Sequence, residues 1–185
     1  MKILAICPTI YPDKFNRMYD SYAVTASKYT TLLSVTQKGG ITKLINEAFS
    51  KHNDYDYYII INDDLVFETP LWDTALAQAG KITHGDDKVP SGLAGQFLMI
   101  PGDFARAVGW LQMPALNRYA GDVCWRFIGQ QLDCLQYHSE VIITHNWDGC
   151  AEPLVNEMDM ASFAAWLPKS HKDIERIRKC LNITE

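Results

Sequence analysis

From Tyr57 to Phe67 the chain reads YYIIINDDLVF: an unbroken β-branched and aromatic run, three polar residues, then an immediate return to apolar ones. A strand that is apolar at every position is buried on both faces, the situation of a central parallel strand covered by helices. The segments before it fit the same plan. KILAIC (2–7) reads as a short buried strand stopped by Pro8 and Pro12, 16–28 has helical spacing, and YTTLLSV (29–35) is rich in β-formers. After the Gly39–Gly40 break, ITKLINEAFSKH (41–52) places Ile41, Leu44, Ile45 and Phe49 on one helical face. Strand and helix thus alternate through residue 80, which predicts an α/β sheet with right-handed crossovers.

At 185 residues the chain has room for one sizeable domain, and 48% hydrophobic residues supply a core. The net charge of −5 disfavours a protein whose main task is coating nucleic acid, which needs excess Lys and Arg. Cys7, Cys124, Cys134, Cys150 and Cys180 are odd in number and form no CxxC pair, so neither a disulfide framework nor structural zinc is expected, and a reducing cytoplasm fits best. MKILAICPTIYPDKF is too short in its apolar run for a signal peptide, and no stretch has the length of a membrane span. The Asn182–Ile183–Thr184 sequon reads as chance. In the second half, 93–100 predicts a strand, 103–111 a short helix, and 122–132 a helix with Val123, Phe127 and Ile128 inward. Two short strands follow at 134–137 and 141–144. A helix over 168–181 carries Ile174, Ile177 and Leu181 opposite a charged, solvated stripe.

Asn62, Asp63 and Asp64 follow the central strand directly. Acidic groups at the carboxyl end of such a strand sit in the crevice where α/β sheets take ligands. Adjacent carboxylates repel and lose hydration unless a cation compensates. A hard divalent ion with oxygen ligands, bridging a diphosphate, meets that need; a simple Asn-Asp turn facing water is the alternative. The motif resembles the DxD-type motif of GT-A glycosyltransferases, family-2-like and of the compact type found in phages and bacteria, with Asn in its first position as a departure. That resemblance implies a single GT-A-like domain over 1–185, with a mixed, mostly parallel sheet flanked by helices. Residues 1–68 would form the nucleotide-sugar-binding half, 69–150 the acceptor and catalytic half, and 151–185 a helical tail. It further implies that Asp64 binds the metal and that Asn62 and Asp63 contact the donor. KILAICPTIYP is similar to the family's first nucleotide-binding strand and loop, so Pro8, Thr9 and Tyr11 would lie along the base. GGITKLINEAFSKHNDYDYY resembles the Gly-led helix before the DxD strand. Its Lys43 and Asn46 share a face, and a Lys near exposed helix N–H groups suits a diphosphate. The acidic residue these enzymes often carry after the second strand is missing at 34–37 (SVTQ), which leaves the base, and hence a UDP or a GDP donor, open.

Tyr119 to Arg126 (YAGDVCWR) resembles the family's helix start in which an acidic residue faces the acceptor hydroxyl. This implies Asp122 as the general base of an inverting transfer; Asp is equally a favoured helix N-cap, and Arg126, four residues on, either pairs with Asp122 and orients it or forms a surface ion pair. VIITH (141–145) ends in His145, where the family commonly places a metal-binding His. Imidazole favours Mn²⁺ over Mg²⁺, and either ion would act as a Lewis acid on the departing diphosphate. Trp110 and Trp147 are candidate sugar-stacking faces or core. The implied activity is transfer of a sugar from a nucleoside-diphosphate sugar to an acceptor hydroxyl, on a glycan or a hydroxymethylated DNA base. A nucleotidyltransferase, which would need a Gly-rich loop absent from CPTIYPDKF, and a catalytically silent sugar- or nucleotide-binding module are the rivals.

Overall fold

A computed structural model describes residues 1–36, 40–89, 96–146 and 153–181 of the chain. A seven-stranded sheet runs in the order β2-β1-β3-β6-β5-β7-β4. Its strands are β1 (Ile3–Pro8), β2 (Thr30–Val35), β3 (Tyr57–Ile60), β4 (Leu65–Phe67), β5 (Ile82–Asp86), β6 (Leu98–Pro101) and β7 (Leu135–His145). The helices are α1 (Pro12–Thr25), α2 (Ile41–Lys51), α3 (Trp72–Leu76), α4 (Gly102–Val108), α5 (Gly121–Gln131), α6 (Pro153–Trp166) and α7 (His171–Cys180).

The period-2 alternation of strand side chains divides the core between the two faces. Ile3, Ala5, Cys7, Ile59, Ile61 and Met99 pack with Met18 and Tyr22 of α1 and Trp72 and Leu76 of α3. Leu4, Ile6, Tyr58, Leu98 and Ile100 pack on the other face with Ile45 and Phe49 of α2, Phe104 of α4, Trp125 and Ile128 of α5, and Ile174 and Ile177 of α7. The fold is therefore an α/β sandwich with a mixed sheet. The central strand β3 is parallel to β1 and antiparallel to β6, so the all-parallel surroundings expected from its apolar run hold on one side only. Burial on both faces, not strand direction, is what that run encodes.

Several boundaries depart from the sequence expectations for local reasons. Helix α1 starts at Pro12, four residues before the helical spacing becomes visible, because Pro is preorganised for the first helical position and Asp13 favours the first turn. In α5 the buried face is Cys124, Trp125, Ile128 and Gly129, while Val123 and Phe127 are half-buried. The Trp125 indole sets that rotation: its Nε1 donates to the Leu111 carbonyl at 2.7 Å. Trp110 is buried against it, with ring centroids 4.9 Å apart, so Trp110 belongs to the core. Trp147, residues 37–39, 93–95 and 182–184, and Cys150 lie outside the described residues. The other four cysteines are free thiols. Among the described residues no helix is long and apolar enough to cross a membrane.

The two short strands expected at 134–137 and 141–144 are one strand, β7, with an irregularity between them. Its register against β5 jumps from Gly85 opposite His138 to Asp86 opposite Ile142. Residues 139–141 therefore bulge out, and a bulge bends the strand that carries it. Past the bend, β7 continues antiparallel to β4, with His145 opposite Leu65. The bend needs Gly85, since a Cβ there would lie 2.4 Å from the Val141 carbonyl oxygen.

Candidate active site

Strands β1, β2, β3, β5 and β7 all point their carboxyl ends to one edge of the sheet, the edge at which α2 and α5 begin. At that edge β3 runs out into Asn62, Asp63 and Asp64 before β4 starts at Leu65. Asp63 accepts a hydrogen bond from the Thr9 hydroxyl. That same hydroxyl oxygen accepts the Tyr11 N–H at 3.1 Å. The acidic turn is thereby tied to the loop leaving β1, where Thr9 is buried and Ile10 and Tyr11 are exposed. Pro8 closes β1 opposite Val35. Asn62 is half-buried beside the two acids.

Asp64 faces the end of β7. Its carbonyl accepts the Asn146 N–H at 3.0 Å, and its Oδ1 lies 3.2 Å from Nε2 of His145. Despite that distance, among the described residues Oδ1 has no hydrogen-bond partner, nor does Nδ1 of His145, although both atoms are buried. The His145 ring stands edge-on to Phe97, centroids 5.3 Å apart. The Cys7 thiol, under the same turn, is pushed above its ordinary value by burial first and by the charges of Asp63 and Asp64 after it.

Asp122 occupies the first turn of α5, and Ala120 before it takes a left-handed conformation (φ 62°). Burial raises its pKa above the ordinary carboxylate value. The Val123 N–H, its own N–H and Arg126 pull the other way, and the charge of Asp87 adds to the rise. Asp87 is a residue the sequence reading missed. It is buried at the end of β5, its carboxylate accepts the N–H groups of Val89 and Gln96 at 3.2 and 3.4 Å, and its carbonyl accepts the His145 N–H at 3.2 Å. It thus stands between the His145 backbone and the surroundings of Asp122. The signal was present: KITHGDD repeats the pattern of an apolar strand running into an acidic pair, but too few apolar residues precede it to mark a strand.

Of the remaining candidates, Lys43 is exposed in the first turn of α2, with Nζ 3.8 Å from Glu47. Asn46 does not join it on a ligand face. Its Oδ1 accepts the N–H groups of Leu111 and Gln112 at 2.9 and 3.0 Å, and its Nδ2 donates to the Gln112 carbonyl at 2.7 Å. Shared helical spacing with Lys43 did not reveal that a loop from the second half would take up the amide. Among the described residues no cluster of three or more His, Cys, Asp or Glu side chains is gathered as a metal cage.

No family model matches the chain, and no curated protein matches it. Solved structures do. Staphylococcus aureus TarS superposes with a TM-score of 0.63 at 14% identity, covering 98% of this chain and 43% of that one. A mannosyltransferase of Pyrobaculum calidifontis, in complex with GDP-Man and Mn²⁺, gives 0.63 at 10% identity over 97% and 69% of the two chains. The catalytic domain of Drosophila β1,4-galactosyltransferase 7, in complex with xylobiose, gives 0.60 at 13% identity over 86% and 79%. A mutant of that enzyme with manganese, UDP-Gal and xylobiose gives 0.57 at 12% identity over 80% and 72%. The fold is that of the GT-A-like glycosyltransferases.

Proposed function

We propose that this chain is a metal-dependent glycosyltransferase that moves a sugar from a nucleoside-diphosphate sugar to an acceptor hydroxyl with inversion. The observation that carries the reading is the meeting of Asp64 Oδ1 and His145 Nε2 at 3.2 Å without a hydrogen bond between them. Buried polar atoms are normally satisfied. A carboxylate oxygen and an imidazole nitrogen that approach this closely without a hydrogen bond support a reading as two ligands of one ion. At metal–ligand bonds of about 2.1 Å, neighbouring ligands of an octahedral ion are about 3 Å apart. The donor set of one oxygen and one imidazole suits Mn²⁺ better than Mg²⁺. Asp64 and His145 would hold the ion from the protein side, leaving further positions open to oxygens of the donor's diphosphate and to water. Manganese in complexes of the mannosyltransferase and the galactosyltransferase mutant supports the same choice.

The bound ion supplies Lewis-acid neutralisation of the departing nucleoside diphosphate. The other roles belong to side chains of this chain. Thr9, held by Asp63, shapes the loop along which Pro8 and Tyr11 receive the base; Asn62 and Asp63 contact the donor beside it. Lys43, in the first turn of α2, adds positive charge next to helix N–H groups for the diphosphate. Asp122 takes the acceptor proton as the acceptor oxygen bonds to the anomeric carbon and the carbon–phosphate-oxygen bond breaks. Its raised pKa makes it a stronger base than an ordinary carboxylate, while still ionised above its own pKa. The acceptor classes to be offered are glycans and hydroxymethylated DNA.

A panel of UDP- and GDP-sugars with Mn²⁺, read as nucleoside diphosphate release, tests the reading. Slow release without acceptor is expected, and chelation should stop it. Asp64→Ala should abolish Mn²⁺-dependent nucleotide binding in calorimetry. Unchanged affinity in that variant refutes the metal site, and pyrophosphate release in place of nucleoside diphosphate refutes the reaction type.

A further inference from the structure

Helix α6 contributes one residue whose placement is costly and specific. Asp159 is fully buried in the middle of the helix. A buried carboxylate loses several kcal/mol of hydration unless its oxygens are hydrogen-bonded. Here the donors come from three successive residues of the segment that enters α5. Oδ1 accepts the Asn117 N–H at 2.7 Å and the Asn117 side-chain amide at 3.0 Å. Oδ2 accepts the N–H groups of Arg118 and Tyr119 at 2.8 and 2.6 Å. Consecutive N–H groups form a concave anion receptor, and α6 fills it with a carboxylate of the same chain. Burial raises the pKa of Asp159, but these donors outweigh it and hold the group below the ordinary carboxylate range, so it is ionised at neutral pH.

Residues 117–119 form a strap that is also attached to α2 and to Gln112. The Asn117 carbonyl accepts the Thr42 N–H in the first turn of α2 at 3.1 Å. The Arg118 carbonyl accepts Nε2 of buried Gln112 at 2.9 Å. Gln112 is itself fixed by Asn46 of α2 and closes against Gly121, where a Cβ would meet its side chain at 3.0 Å. Directly after the strap, the backbone takes its left-handed step at Ala120 and α5 begins with Gly121 and Asp122. The position of the first turn of α5 therefore depends on where the strap is held.

We infer that Asp159 is a positioning residue for Asp122: by gripping the 117–119 strap, α6 sets the stance of the catalytic helix and completes the active site. The inference rests on Asp122 being the base. The test uses the full chain and the near-isosteric Asp159→Asn variant, which puts an NH₂ group where N–H donors converge. We expect kcat for sugar transfer to fall tenfold or more, while the donor KM and the Mn²⁺-dependent affinity for UDP or GDP change less than twofold. Residues 9, 63, 64 and 145 belong to the loop after β1, the acidic turn after β3 and the end of β7, not to the strap or its anchors named above. Residue-resolved hydrogen exchange should show the amides of 117–119 and 121–124 losing protection together. Full kcat in a folded Asp159→Asn protein overturns the inference. So does a strap that loosens while 121–124 keeps its protection, an arm that needs no turnover at all. If Asp159→Asn does not fold, Asn117→Ala removes a single donor, and its kcat should fall severalfold with the same exchange pattern; unchanged kcat and protection overturn the inference. Failure of the functional reading looks different: the wild-type protein then turns over no sugar nucleotide, and the exchange arm still decides whether Asp159 positions α5.

Discussion

Replacing Gly85 by Ala tests how the proposed metal ligands, Asp64 and His145, are brought together. The new Cβ would stand 2.4 Å from the Val141 carbonyl oxygen and 3.1 Å from its Cγ1. Ordinary carbon–oxygen contacts begin at about 3.3 Å, so β5 and the bulge of β7 must separate by roughly 0.9 Å. Val141 is fully buried between them, and a close-packed interior does not absorb such a shift locally. Overpacking of this kind costs about 1–3 kcal/mol, which lowers the melting temperature of a chain this size by roughly 2–12 °C. The functional effect is larger than the loss of stability. His145 lies four residues beyond Val141 on the same strand, and a displacement of about 1 Å in a catalytic group costs on the order of 10²-fold. Calorimetric titration of UDP or GDP with and without Mn²⁺, beside a thermal melt, reads both effects. We expect the metal-dependent part of nucleotide affinity to fall tenfold or more in a protein that is still folded at the assay temperature. A Gly85→Ala protein with wild-type melting and wild-type Mn²⁺ dependence refutes the argument that the Gly85–Val141 approach sets His145.

Asp122→Asn should stop transfer, leave donor binding intact and melt higher than the wild type. The folded pKa of Asp122 is raised, so its ionisation costs stability as pH climbs from the ordinary carboxylate value through the folded value. Relief of that cost should raise the melting temperature near pH 7, and the gap should close as pH approaches 4; a variant that melts lower at neutral pH contradicts the assignment. In the wild type the acid limb of kcat/KM should lie above the ordinary carboxylate range for the same reason, and a limb near pH 4 would exclude Asp122 as the titrating base. Asp73→Ala probes the far end of the molecule. Its buried carboxylate accepts from the Ser27 N–H at 3.0 Å, from the Ser27 hydroxyl at 2.6 Å and from Thr30. Its loss should cost about 2–4 kcal/mol in a denaturant titration with Mn²⁺-dependent nucleotide affinity unchanged; a parallel loss of affinity would contradict the separation of the two regions.

The elements legible in the sequence were those whose signal is local. The apolar strand 57–61, the amphipathic helix 41–52 and the acidic turn after β3 announce themselves within a dozen residues, and Asp64 and His145 each end an apolar run. What stayed hidden depends on partners far along the chain. Strand β5 (ITHGD) is short, and its His84 and Gly85 read as loop; only burial against β7 explains them. Asn46 looked like a companion to Lys43 because a helical repeat shows which residues share a face, not which loop will land on it. The bulge at 139–141 read as a gap between two strands, since a register jump has no period of its own. Asp159 had no distinguishing neighbours: Asn156, Glu157 and Asp159 in α6 are three polar residues, and only packing shows which one turns inward.

The grip of α6 on the strap also orders events during synthesis. The donor-side acids, the proposed base and His145 all emerge from the ribosome before residue 159 does. Until α6 has formed and its carboxylate has reached the waiting N–H groups, the chain carries every reacting group without holding the catalytic helix in place. On the proposed reading, competence for transfer would therefore be gained late, after translation of the sheet, and a nascent chain held short of that helix should bind a sugar nucleotide without transferring its sugar.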